Sequence, residues 1–343
     1  MSRASSWRVG VGYAVSVLCI VGLSFQVDFR DVWRELGTVD VPAVMGAMAL
    51  TAGCYVCFGL RWRLLLDCAG RLSNFQTFAY LVYGLMLNAV LPLRSGDVLR
   101  AFLAGRACRG GTMGAVASIV VERMADVMTM LAVALGLWAF GDIPALVRQP
   151  LAYVAVVVFL GALVLVAVAR YGNDALDALH GGEAPGRRRL WSAVVTRLHI
   201  FTRALVLVNA NGRLDLRRYA GTIALGLLGW TSFAAATIAV VSAFDIAAPV
   251  SVGLLLVVVT NLGAAVPSSP GAIGVYHAIG TAVLSAIGLD RDLALSVTTV
   301  SHAVTVLVQV GLGSAALAIL PVADRRGTAA ANDISQEGSL PST

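Results

Sequence analysis

Three arginines and three carboxylates stand where an otherwise apolar chain has little reason to hold charge. NAVLPLRSGDVLR, residues 88–100, carries Arg94, Asp97 and Arg100 directly after a hydrophobic run. VERMAD, residues 121–126, sets Glu122, Arg123 and Asp126 about ten residues into another. A charge near the centre of a bilayer costs at least roughly 2.5–3.5 kcal/mol on insertion scales, so such groups are not set against lipid. Two roles fit them. A buried ion-pair network can hold helices together, and Arg123 and Asp126, three residues apart on one helix face, are placed to pair. Alternatively, Arg94, Arg100 and Arg123 face a polar cavity and grip a phosphate, while Glu122 and Asp126 set the local charge. The planar guanidinium fork suits a phosphate better than an ammonium does. Two histidines admit similar alternatives. His277 and His302 are either hydrogen-bonded packing residues or groups that contact a headgroup or carry a proton.

The elements that position these residues belong to a membrane protein. Of 343 residues, 58% are hydrophobic and 13% charged, against about 25% charged in ordinary proteins. The net charge of +6 comes from arginine alone, since the chain has no lysine. That balance points to basic cytoplasmic loops beside anionic lipid, Arg187 to Arg189 among them, and not to nucleic acid. Cys54 and Cys57 form a CxxC inside an apolar helix with no second pair. The expectation is two packing residues, no metal site and no cofactor.

Crossing the hydrocarbon takes about 20 apolar residues. Residues 9–27, 41–60, 112–140, 151–169, 220–244 and 293–320 meet that requirement. Two more apolar segments are broken: 75–91 ends at Pro92, and 250–289 is interrupted by VPSSPGAIG. Arginine placement then fixes topology. If 75–91 enters and leaves on the same side, 20 arginines fall on the cytoplasmic side and four outside. A full crossing would put the nine arginines of 170–219 outside, against the positive-inside rule. A re-entrant segment with cytoplasmic termini in the cell (inner) membrane follows. Residues 171–218 form a cytoplasmic loop, and 322–343 a disordered tail.

This topology makes the second half, about 151–320, an inverted copy of the first, about 9–140. Each break reads Pro-x-x-x-Gly, with Pro92 and Gly96 in one, Pro267 and Gly271 in the other, and Asn88 or Asn261 before it. Broken segments at corresponding places in inverted halves mark a transporter-type site near the midplane. Pro270 and Gly274 add to the second break. The glycines would let a ligand approach the backbone, and the asparagines would shape the break. The expected fold is all-α: a polytopic membrane helix bundle with an internal inverted repeat and two broken or re-entrant hairpins.

Together NAVLPLRSGDVLR, ERMAD at 122–126 and PSSPGAIG at 267–274 resemble, in order, the transmembrane region of lysylphosphatidylglycerol synthases, a group that includes stand-alone flippase-like proteins. The resemblance covers about residues 9–320. Two departures stand out. Three residues, not four, separate Asn88 from Pro92, and His277 takes a place that is often Glu in that family. The resemblance implies lipid handling. With 22 residues after Pro321, no synthase domain is expected and the chain should not itself aminoacylate lipid. The leading expectation is a flippase-like transporter, not an enzyme, for a lipid or polyprenyl-phosphate-linked headgroup. The alternatives are a membrane partner of a lipid or glycan synthase, docking through 171–218, or an intramembrane lipid-phosphate enzyme using Glu122, Asp126 and a histidine. No HxxxxD acyltransferase pattern and no metal-ligand cluster supports the last.

Overall fold

A computed structural model describes residues 37–66, 72–91, 95–108, 111–139, 216–246, 250–263 and 269–319, with isolated positions in 30–34 and 149–163. Beyond Ile319 only the helical backbone is assigned, as far as Glu337. The expected spans 9–27 and 151–169, the Arg187–Arg189 cluster, and Pro92, Arg94 and Pro267 lie outside the described residues.

The protein is an all-α membrane helix bundle. Helix α1 is Val41–Leu65. A hairpin follows, α2 Asn74–Val90 and α3 Ser95–Gly105, and then α4, Gly111–Ala139. The order recurs as α5 Leu216–Ser242, a hairpin of α6 Val250–Gly263 and α7 Val275–Ala286, and α8 Arg291–Glu337. Among the described residues three helices are long and apolar enough to cross a membrane by length and composition: Val41–Leu65, Leu216–Ser242 and Arg291–Ile319. Helix α4 has 29 residues, about 43 Å at 1.5 Å each, but carries the three charges of ERMAD.

The boundaries follow local chemistry. Helix α2 starts on a reciprocal cap, where Ser73 Oγ accepts from the Gln76 N–H and Gln76 Oε1 accepts from the Ser73 N–H, satisfying two otherwise orphaned donors. Helix α1 overruns the predicted end at residue 60 by a turn. Its last carbonyls explain why: Leu64 O accepts two bonds from the Arg218 guanidinium, at 3.0 and 2.6 Å.

Helices α1 and α5 pack antiparallel along their length. The Asp40 N–H donates to Ala243 O, Ser232 Oγ donates to Leu50 O, and Arg218 reaches Leu64. Glycines 221, 226 and 229 of α5 lie against Leu64, Arg61 and Phe58 in turn. Small residues let backbones approach where no hydrophobic force between helices can help. Helices α1 and α5 hold equivalent places in the two halves, so their antiparallel course is what an inverted pair requires. The hairpins are exchanged reciprocally. Helix α2 of the first half packs on α8 of the second, with Gly313 against Val82 and Met86. Helix α6 of the second packs on α4 of the first, where Met130, Leu131, Ala134 and Leu137 meet Leu255, Val257, Val258 and Val259.

Candidate functional site

A buried cluster of six charges lies where α1, α3 and α4 meet. Glu122, fully buried, takes Arg100 Nη1 at 3.3 Å, Arg123 Nη2 at 2.7 Å and Arg61 Nη2 at 3.7 Å. Asp126 takes Arg61 Nη1 at 2.7 Å and Arg123 Nη1 at 3.6 Å. Asp97 faces Arg100 Nε at 3.1 Å. Three guanidinium groups thus balance three carboxylates. Each carboxylate keeps at least one partner, as charges away from water must.

Aromatic side chains close this cluster from both sides. The Arg61 guanidinium sits 4.6 Å from the Phe58 ring centroid, and Arg100 sits 4.8 Å from that of Trp62. Trp230 of α5 donates its indole N–H to Asp126 Oδ1 at 3.0 Å. That bond ties the second half of the chain to the charged centre of the first.

The arginines are not alike. Arg61 and Arg100 are each 1% exposed. Arg123 has 41% of its side chain exposed. It is the most exposed arginine of the cluster, although its two terminal nitrogens face Glu122 and Asp126. Arg61 was not among the expected site residues, because the span was drawn to end at residue 60 and Arg61 was placed in the following loop. No local spacing points to it, since its partners are on α4. Only its place one turn after Phe58, on an apolar helix face, gives a signal.

The first break is built on glycine. Helices α2 and α3 meet at Gly84 and Gly96, so closely that a Cβ on Gly96 would strike the Gly84 carbonyl oxygen. Asn88 Oδ1 accepts from the Gly96 N–H at 2.9 Å, satisfying a free donor at the start of α3. Asn88 thus bridges the end of α2 to the start of α3. Gly96, expected to leave room for a ligand, instead has that space filled by backbone.

The second break has its own supports. Gly271 at φ 65° and Gly274 at φ 88° occupy the left-handed region that favours glycine. Pro270, Gly271 and Ala272 form a short 3-10 turn after Ser269, and the Asn261 amide of α6 donates to Val257 O at 2.8 Å. A Cβ on Gly271 would lie 3.1 Å from the Ala89 carbonyl oxygen. The two breaks therefore touch, one from each half. His302 Nε2 lies 2.8 Å from Gly271 O, and the Gly274 N–H points at His277 Nδ1 at 3.4 Å.

A contact path therefore runs from the second break through Ala89, Asn88, Gly96 and Arg100 into the charged cluster. Cys54 and Cys57 are free thiols. Among the described residues no group of three or more potential ligands could hold a metal ion.

Comparison with known proteins matches the chain to the lysylphosphatidylglycerol synthase TM region family over residues 9–313. The chain belongs to that family. The match spans both breaks and the described helices as far as residue 313. A curated relative from Haloferax volcanii (strain DS2), glycosyltransferase AglD, is 27% identical over 346 residues. The match takes in 88% of this chain and 53% of the relative, so the chain spans about half that protein's length. The family match makes the chain a membrane protein.

Proposed function

We propose that this chain is a flippase-like transporter that moves a lipid or polyprenyl-phosphate-linked headgroup between leaflets. The observation that carries the reading is the meeting of the two breaks at Gly271 and Ala89. Irregular backbone at membrane depth is tolerated where it is buried in protein or lines a polar path. Two such breaks, one from each inverted half, form a hinge line around which the halves can rock. Arg123 is the residue placed to receive phosphate. It is half-exposed and is held by Glu122 and Asp126. In this reading Arg61 and Arg100 position the carboxylates and do not touch lipid. Anionic headgroups are the lipid partners.

The test uses purified protein in liposomes and a labelled phosphate-bearing lipid whose movement between leaflets is timed. Wild-type protein should speed exchange and leave the lipid chemically unchanged. Arg123→Ala should fold normally and slow exchange by about 10–100-fold, since a hydrogen bond to a charged group is worth about 1.5–3 kcal/mol. Arg123→Lys should be nearly as slow, because the ammonium lacks the fork. Chemically altered lipid in these liposomes would favour an enzyme.

A second reading has one observation behind it. The chain matches about half of a relative named as a glycosyltransferase, so it could serve as the membrane region of a lipid or glycan synthase assembly. Acceleration of lipid exchange by the chain alone separates the two.

Topology can be tested independently. With the native cysteines replaced, a cysteine near Asp290 should react with an impermeant reagent from outside, and one near Gly110 should not. Labelling of Gly110 from outside would end the re-entrant assignment and the inverted repeat.

A further inference from the structure

Each half ties the second helix of its hairpin to the long helix that follows. In the first half the tie is ionic, Arg100 on Glu122. In the second it is imidazole: His277 of α7 and His302 of α8 meet edge to face, ring centroids 5.0 Å apart. The positions correspond, since Glu122 and His302 each stand eleven residues beyond the first residue of their helices, Gly111 and Arg291. A permanent ion pair in one half is thus matched by a titratable pair in the other.

Both rings hold the backbone of the second break, in opposite senses. A carbonyl only accepts, so the 2.8 Å contact to Gly271 O requires a proton on His302 Nε2. The Gly274 N–H donates to His277 Nδ1, so that nitrogen is bare. A proton arriving at Nδ1 turns the acceptor into a donor, and the Gly274 N–H then faces another N–H. That contact must open. With two cationic rings this close repelling each other, the pair takes one proton.

Among the described residues no charged side chain contacts either ring. Tyr276 of α7 stacks on His302 at 4.5 Å and hydrogen-bonds Thr260 of α6. Tyr55 of α1, held by Gln309 of α8, is a further titratable group and interacts with Tyr276. Helix α2 contributes the Ala89 backbone. Among the described residues neither ring has a carboxylate or guanidinium partner.

We infer that the His277–His302 pair is a proton-binding site whose occupancy releases Gly274 from His277 and so couples lipid movement to a proton. The coupling rests on the transport reading above; the binding site does not. The proton comes from water, sits on His277 Nδ1 while the break is open, and returns to water when the Gly274 contact re-forms.

The experiment is a titration of the full-length protein in lipid nanodiscs. Histidine labelled with 15N reports ring protonation. Isoleucine labelled with 13C at the carbonyl, with 15N-glycine, selects the three Ile–Gly peptide bonds, at 273–274, 279–280 and 287–288, and the signal that is missing from Ile273→Val is that of Gly274. As pH falls from about 8 to about 4, the Gly274 amide signal should move along the same curve as a histidine ring. It should stay still in His277→Asn, whose Oδ1 still accepts from Gly274 but binds no proton in this range. In His302→Gln, whose amide can still donate to Gly271, the Gly274 titration should persist with a displaced midpoint. In liposomes, wild-type exchange should change about tenfold per pH unit on the sloping limb, and His277→Asn should vary by less than about twofold over that range. A Gly274 signal that never titrates, or that titrates unchanged in His277→Asn, overturns the proton site. If Gly274 titrates as described but no lipid moves at any pH, the transport reading fails and the coupling with it, while the proton site stands.

Discussion

Arg61→Ala should lose most of its folded protein, with about 3–5 kcal/mol of stability gone, the range for breaking a buried pair by deleting one partner. The side chain is 2% exposed and holds Asp126 at 2.7 Å and Glu122 at 3.7 Å. Removing it leaves three carboxylates facing two guanidinium groups. Asp126 keeps the Trp230 N–H and the more distant Arg123, and neither neutralises it as the 2.7 Å pair did. Thermal denaturation in detergent, followed by the fraction eluting as a single species, measures the loss. Neutralising the orphan in the same chain, as Arg61→Ala with Asp126→Asn, should recover part of it, because the penalty lies in the unpaired charge. No recovery in the double variant would mean that Arg61 acts by packing against Phe58 and Gly226. Arg123→Ala provides the contrast: its side chain is half-exposed and both carboxylates keep another partner, so its stability loss should be far smaller.

The second large effect falls on Gly96. Even alanine there sets a methyl group on the Gly84 carbonyl, and overpacking of this kind costs about 1–3 kcal/mol. Leucine should cost more, prising α2 from α3 and stretching the bond between Asn88 and the Gly96 N–H. Gly96→Leu is therefore expected to lose the hairpin itself, seen as proteolysis between α2 and α3 and a lowered Tm. A clearance role for a ligand makes a different prediction, normal folding with no lipid exchange. A Gly96→Leu protein with wild-type Tm would refute the close-packed hairpin.

These two residues show where a sequence reading runs out. The breaks, the hairpins and the repeated order of elements were legible because proline, glycine and apolar run length act locally. The pairing of Arg123 with Asp126 was legible for the same reason, since residues three apart on a helix share a face. The role of Arg61 was not legible, because its partners lie three helices further on, on α4. The residue that crowds Gly96 is twelve positions earlier, on a helix that turns back against it. A glycine needed for helix contact and one needed for ligand approach look the same in sequence, and only the facing backbone separates them. Arg100 looked like a phosphate ligand of the same kind as Arg123, yet burial separates them, the one enclosed by Asp97 and Glu122 and the other half-exposed.

The charged cluster also constrains how the chain is made. Arg61 is synthesised 61 residues before Glu122 and 65 before Asp126. At about 5–20 residues per second, the interval is about 3–12 s, during which α1 carries an arginine with no counter-charge. Its position makes this tolerable: Arg61 is four residues from the end of α1 at Leu65, close enough for its long side chain to reach the headgroup layer. Helix α1 can wait at the bilayer edge and settle to its final depth once α4 emerges and its carboxylates draw the guanidinium inward. Insertion is therefore cooperative across the first half of the chain, and α4 is the segment that completes it.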